Sequence, residues 1–330
     1  MLKGESAFVA NSQGLRLWTE RFGDPAAPAV LLVMGTSTQA IGWPDELVEV
    51  LAEGGLQVIR FDHRDTGQSD SVDFVAAPYT MIDMAHDSLA VLDGYRVPSA
   101  HIVGASLGGA IGQLLALHHP DRVRTLTAIM TSPMGHRAGP AWARALAGQP
   151  PEPGDLPAPA PEFLRHVTTL AANPPATRAE RIATSVETWR IINGTELPFD
   201  ADAARRHAKE SMARARDLKA ATNHDLAGRQ MIPERDAPLS RITAPTLVIH
   251  GTADPLHPFP HGEALAALIP GARLEPVPGM GHGFFSPGLP AKVARLILAH
   301  TALRKGPCRD PARGRCAPGT RPPGSPGSAP

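Results

Sequence analysis

The chain has 330 residues, 42% of them hydrophobic and 19% charged, a composition that suits a folded globular protein and excludes wholesale disorder. Its 32 basic and 32 acidic side chains cancel, so charge gives no reason to expect a nucleic-acid or membrane-surface partner. Two cysteines, Cys308 and Cys316, lie near the C-terminus and leave no disulfide framework or cysteine-held zinc for the main body.

The first 22 residues carry no continuous apolar run of the secretory type. The longest apolar run, residues 29–34, is too short to span a bilayer, so the expected location is the cytoplasm. Residues 15–22 alternate apolar and polar side chains, as a half-buried strand does. Residues 29–34 (AVLLVM) read as a strand buried on both faces. A helix follows at 44–53, a strand at 56–61 and an amphipathic helix at 81–93. Next come a strand at 100–105, a helix at 107–118 and a strand at 124–130. Strands alternating with helices of this length predict an α/β fold with a mostly parallel sheet flanked by helices.

That alternation stops near Pro133. Eight prolines fall between 133 and 161, where no sheet strand can run. Helical patterns at 178–192 and 200–226 follow, and the strand–helix alternation resumes at 245–250, 262–269, 273–277 and 289–303. The predicted organisation is a core at 1–132 and 239–303, interrupted by a helical cap at 133–238. The last 27 residues hold 12 glycines or prolines, six basic side chains and one acidic, and nothing aliphatic larger than alanine. Residues 304–330 therefore read as a disordered tail.

The chemistry begins at Gly104-Ala105-Ser106-Leu107-Gly108, between an apolar strand and an amphipathic helix. G-x-S-x-G in that setting is a sharp turn that lifts a serine hydroxyl clear of the sheet, with Gly104 and Gly108 small because strand and helix approach closely. A serine nucleophile needs a base oriented by an acid. In an open parallel sheet those groups sit just past the carboxyl ends of later strands. Asp254 follows the strand at 245–250, and His282 lies in the Gly-rich loop after the last strand. His257 and His261 lie close to Asp254 as surface or pocket residues, while His250 and His63 read as structural. Oxyanion donors are expected from the backbone N–H groups of Leu107 and Thr36, the latter in the loop after residues 29–34. Trp43, Met134, Phe163 and Trp189 are candidate pocket-lining side chains, each with core packing as its competing role.

The strings VMG (33–35), GWPDEL (42–47), VIRFDHRDTGQSD (58–70), AVLDGYRV (90–97), HIVGASLGG (101–109), WRIINGTELPFD (189–200), PTLVIHGTADP (245–255) and IPGARLEPVPGMGH (269–282) resemble the aclacinomycin methylesterase group of the α/β-hydrolase superfamily. The resemblance covers roughly residues 15–300, cap included. It implies an α/β-hydrolase fold with an inserted helical cap, a Ser106–Asp254–His282 triad, and oxyanion donors at Thr36 and Leu107. It further implies hydrolysis of a carboxylic ester through an acyl-enzyme, on a methyl ester of a polyketide-type small molecule, with no metal or organic cofactor. The chain departs from the group in having Thr36 after Gly35 and Leu107 after the serine, positions that bear on the acyl pocket. Open alternatives are lactone opening, C–C bond hydrolysis, cofactor-free peroxidase chemistry and a non-catalytic small-molecule binder.

Overall fold

The computed structural model describes residues 3–134, 138–229 and 238–302. The sequence segment 304–330 and both cysteines lie outside the described residues. Eight strands form one sheet: β1 (Glu5–Ala10), β2 (Arg16–Phe22), β3 (Ala29–Val33), β4 (Gln57–Phe61), β5 (Ala100–Ala105), β6 (Val123–Ile129), β7 (Thr246–Gly251) and β8 (Arg273–Val277). Their order is β1-β2-β4-β3-β5-β6-β7-β8. The pairs β1–β2 and β2–β4 are antiparallel, and every later pair is parallel.

Five core helices cover the sheet: α1 (Asp45–Glu53), α2 (Met81–Gly94), α3 (Leu107–His118), α9 (Pro260–Leu268) and α10 (Leu289–Ala302). Strand β3 shows why both faces need cover. Ala29, Leu31 and Val33 enter the apolar cluster that includes α2 and α3 side chains, while Val30 and Leu32 enter the one that includes α1 and α10. Alternate side chains of a strand point to opposite faces, so a continuous apolar run demands a core on each side.

Between β6 and β7 the chain makes a helical insertion: α4 (Ala138–Leu146), α5 (Pro161–Ala172), α6 (Arg178–Asn193), α7 (Ala201–Arg214) and α8 (Asn223–Arg229). Helix α6 starts where the sequence places it. Thr177 accepts from the Glu180 N–H, and the Glu180 carboxylate accepts from the Thr177 N–H.

Three features differ from the sequence reading. Strand β1 is almost wholly exposed, so it lacks the alternation that would reveal it. Helices α4 and α5 occupy the proline-rich stretch; Pro161 starts α5, where its missing N–H costs nothing. The helix expected at 200–226 breaks after Arg214. Ala215 turns to extended backbone, and the Arg216 N–H bonds the Gly67 carbonyl at 2.9 Å.

Two expectations follow. Helix α3 packs so closely on β3 that a Cβ on Gly108 would lie 2.0 Å from the Val33 carbonyl oxygen. Gly108→Ala should therefore cost about 3 kcal/mol or more in urea unfolding, and a loss within error would contradict this packing. Burial also holds the His63 and His101 imidazoles well below their usual range, to about 3 and about 4, so both are neutral in the fold. Unfolded, each takes a proton below about pH 6.5. Their contribution is complete above that value and is lost as pH falls toward 4. Going from pH 6.5 to 5 should remove roughly 1–2 kcal/mol for each ring. A melting temperature flat across that window would mean the rings are charged in the fold.

Candidate active site

Ser106 is the single residue between β5 and α3. It adopts φ 53° and ψ −118°, a conformation that L-residues avoid and that stores about 1–3 kcal/mol of strain. Its surroundings hold it there. The Ser106 N–H donates to the Ile129 carbonyl at 3.0 Å, and the Thr131 hydroxyl donates to the Ser106 carbonyl at 2.7 Å. A Cβ on Gly104 would lie 2.1 Å from the Gly108 carbonyl oxygen, so only glycine fits beneath the turn. Leu107 is the first residue of α3, where a backbone N–H has no acceptor in its own helix.

The loop after β3 runs against this turn. A Cβ on Gly35 would come within 3.2 Å of the Ser106 Cβ. Thr36 follows, exposed, and Ser37 takes a left-handed φ of 57°. The N–H groups of Thr36 and Leu107 thus lie on the two segments that flank the Ser106 side chain.

Asp254 is carried three residues beyond β7 and is 4% exposed. Its Oδ1 accepts from the Leu256 and His257 N–H groups, both at 2.8 Å. Its Oδ2 accepts from His282 Nδ1 at 2.8 Å. Burial alone would raise the Asp254 carboxyl; the imidazoles of His282, His250 and His257 outweigh it and hold the group below the usual carboxylate range. His282 Nε2 is buried and makes no hydrogen bond among the described residues. An imidazole with Nδ1 on a carboxylate and Nε2 unengaged is arranged to take a proton from a neighbour.

The His282 loop owes its path to glycines and to the insertion. Gly279 has φ 73°, and a Cβ on Gly281 would lie 2.3 Å from the Asn193 carbonyl oxygen. The His282 N–H donates to the Ile192 carbonyl, in the last turn of α6, at 2.6 Å. On the other side, the Ala160 N–H donates to the Pro255 carbonyl at 2.7 Å.

Of the candidate lining residues, Trp43 is wholly buried and packs on Phe284 with ring centroids 5.4 Å apart. With none of its surface exposed it is part of the apolar core on the α1 and α10 side of the sheet. Met134 is buried in the cluster under α3. Phe163 packs with Ile191, Ile192, Trp142 and Leu256, and half-buried Trp189 joins that cluster. The apolar cluster lies between α5, α6 and the loop that carries Asp254.

His257, left open between surface and pocket by the sequence, has its ring edge-on to His282 at 5.2 Å and stacked on His261 at 5.2 Å. Burial and the nearby His282 push its pKa down to about 3. Its place three residues after Asp254, with its N–H on that carboxylate, is the signal that fixes it here. His250 is buried too and sits 3.8 Å from Asp254 Oδ2 while donating to the His257 carbonyl at 2.7 Å.

A cleft of about 880 Å3 lies elsewhere, lined by Arg64, Asp70, Tyr79, Asp83 and Arg216 among others, and by none of Ser106, Asp254 or His282. Its arginines are already engaged, Arg64 with Asp87 and Arg216 with Asp70. The Ser106 turn, Asp254 and His282 lie at strand ends outside that cleft. Among the described residues no group of three or more His, Cys, Asp or Glu is placed to hold a metal ion, and no helix is long and apolar enough to cross a membrane.

The rhodomycin D methylesterase DnrP of Streptomyces peucetius is 44% identical to this chain over 293 residues, covering 86% of this chain and 94% of that protein. The rhodomycin D methylesterase DauP of Streptomyces sp. (strain C5) is 43% identical over the same length, with the same coverage. Among solved structures, a hydrolase from Pseudomonas aeruginosa superposes with a TM-score of 0.65 at 27% identity, over 90% of this chain and 98% of that one. The family described as alpha/beta hydrolase fold matches residues 28–289. With that match laid over the Ser106 turn and the strand ends that carry Asp254 and His282, the chain belongs to the α/β-hydrolase family.

Proposed function

We propose that this protein is a carboxylic ester hydrolase that acts through an acyl-enzyme on the methyl ester of a polyketide-type small molecule. The observation that carries the chemistry is the 2.8 Å bond from His282 Nδ1 to Asp254, with Nε2 left unengaged in the loop after β8. The likeness to the two rhodomycin D methylesterases supports the substrate class.

In this reading His282 takes the Ser106 proton as the hydroxyl oxygen attacks the ester carbonyl. Asp254 fixes the tautomer of the ring and stabilises the imidazolium that forms. The N–H groups of Thr36 and Leu107 hold the oxyanion of the tetrahedral intermediate. His282 then returns the proton to the departing methanol oxygen, leaving the acyl group on Ser106. Water, deprotonated by the same ring, attacks that acyl group and releases the acid. Residues 133–238 act as the cap, and the cluster around Phe163, Trp189 and Leu256 is the apolar wall against which a flat, multi-ring substrate rests.

Ser106→Ala should lower turnover of a p-nitrophenyl ester by about a thousandfold or more with an unchanged melting temperature, and Asp254→Asn by a similar factor. Wild-type rates in Ser106→Ala would remove the nucleophile. Labelling by a fluorophosphonate probe should likewise vanish with Ser106; a folded wild-type protein that resists the probe would favour a binder over an enzyme. For the substrate, kcat/KM on a polyketide methyl ester should exceed that on short-chain methyl esters by at least about tenfold. Equal values would leave the esterase and overturn the substrate class.

A further inference from the structure

One sequence feature is not used by the triad: the string Asp62-His63-Arg64-Asp65-Thr66-Gly67 after β4. A second is a buried histidine in the insertion, His224 on α8, which is 1% exposed. The two meet at the loop that carries Thr36. We propose that His224 is a positioning residue for the oxyanion hole: it ties the insertion to the loop after β3, while His63 holds the other end of that loop from the core. This inference rests on the reading of the Thr36 N–H as an oxyanion donor.

Met34 and Ser37 bracket Gly35 and Thr36. At the first end, His63 Nε2 donates to the Met34 carbonyl at 2.9 Å. At the second, the Ser37 N–H donates to His224 Nδ1 at 2.9 Å, and the Ser37 hydroxyl donates to the Ala221 carbonyl at 2.7 Å. His224 Nε2 then donates to the Arg64 carbonyl at 2.8 Å. A backbone N–H can only donate and a carbonyl can only accept, so the tautomers are fixed: both rings carry their proton on Nε2. The His224 ring is thus a bridge with one end on the loop and the other on the turn after β4. The His63 and His224 rings stand edge-on with centroids 5.7 Å apart.

The bridge matters because Ser37 has φ 57°, a left-handed conformation that a serine does not keep without support. Without the acceptor at Nδ1, the Ser37 N–H loses its partner in the protein and the loop is free to relax toward ordinary backbone. Thr36 is the adjacent residue, so its N–H would swing away from the oxyanion position. The rest of the Asp62–Gly67 string serves the same loop. Asp62 Oδ1 accepts from the Ala40 N–H at 2.7 Å, and its Oδ2 accepts from Arg214 of α7, which also donates to Gln39 Oε1 at 2.8 Å. Gln39 Nε2 donates in turn to the Ser211 carbonyl at 2.7 Å. The bridge requires a neutral His224 ring, and burial lowers the pKa of both His224 and His63.

The test uses the full chain and p-nitrophenyl acetate, a small activated ester that needs no cap contacts. A trifluoromethyl ketone reports oxyanion binding independently of turnover. His224→Asn keeps an acceptor near the Nδ1 position, whereas His224→Gln keeps a donor near Nε2. We expect His224→Ala and His224→Gln to lower kcat about ten- to a hundredfold, with KM changed less than about twofold and ketone binding weakened by a similar factor. His224→Asn should recover most of the loss. His300→Ala, which also removes a buried histidine bonded to a backbone carbonyl but at the opposite strand ends, should lower the melting temperature and leave kcat alone. Asn no better than Gln, or His224→Ala behaving like His300→Ala, would overturn the inference. The Asn–Gln comparison decides even if the alanine variant does not fold. Thr36→Pro, which deletes the donor N–H, separates the two layers. If it keeps full kcat, the oxyanion reading itself fails; if it loses kcat while His224→Ala does not, only the role of His224 fails.

Discussion

The site depends first on the approach of α3 to the sheet. A side chain at Gly104 or Gly108 would collide with backbone, so strand and helix meet at a distance that only hydrogen at Cα allows. That distance leaves one residue to turn the chain from β5 into α3, and Ser106 takes a conformation it would otherwise avoid. The strain is held by bonds to the end of β6 and to the second residue beyond it, Ile129 on one side and Thr131 on the other. The same geometry places the start of α3, with its unpaired N–H groups and positive dipole end, beside the hydroxyl. The β3 loop runs against the turn, so close that a Cβ on Gly35 would lie 3.2 Å from the Ser106 Cβ.

The insertion is tied to each of the three loops that make the site. Its α6 end bonds the His282 N–H, the segment before α5 bonds the Pro255 carbonyl, and α7 and α8 with the turn between them hold Ser37 and Gln39. On the proposed reading, the helices between β6 and β7 therefore scaffold the reaction centre as well as covering it. A shift of α8 would be felt at the loop that carries Thr36, and a shift of α6 at His282.

Which parts of this were legible in the sequence follows from which interactions are local. The buried strands read directly because each is a continuous apolar run, and the Ser106 turn because its glycines and flanking elements are adjacent in the chain. Asp254 and His282 could be placed on loops after strands by chain order, without a contact being known. Strand β1 was missed because an exposed edge strand has no apolar rhythm. Helices α4 and α5 were hidden by prolines that sit before or at the start of a helix, where they do no harm. The break after Arg214 depends on Gly67, far away in sequence, and so does not show in the helical pattern. Trp43 was a plausible pocket residue by type alone; its burial against Phe284 is a tertiary fact. His224 was unreadable for the same reason, since Ser37 lies 187 residues away.

The histidines show how one residue type is divided between structure and chemistry. His63, His224, His250 and His300 all donate from Nε2 to a backbone carbonyl, and burial depresses the pKa of each. A carbonyl is a neutral acceptor, and burial outweighs the charges nearby, Asp254 beside His250 included, so each stays a neutral link between backbone segments. His282 differs in its partner. Its Nδ1 faces a carboxylate whose other oxygen is held by two N–H groups, while its Nε2 makes no hydrogen bond among the described residues. His257 stands edge-on to it and is stacked in turn on His261, and burial lowers the pKa of both of these rings. Position on a strand end is therefore not what separates the base from its neighbours, since His250 also lies there; the hydrogen bond to Asp254 is.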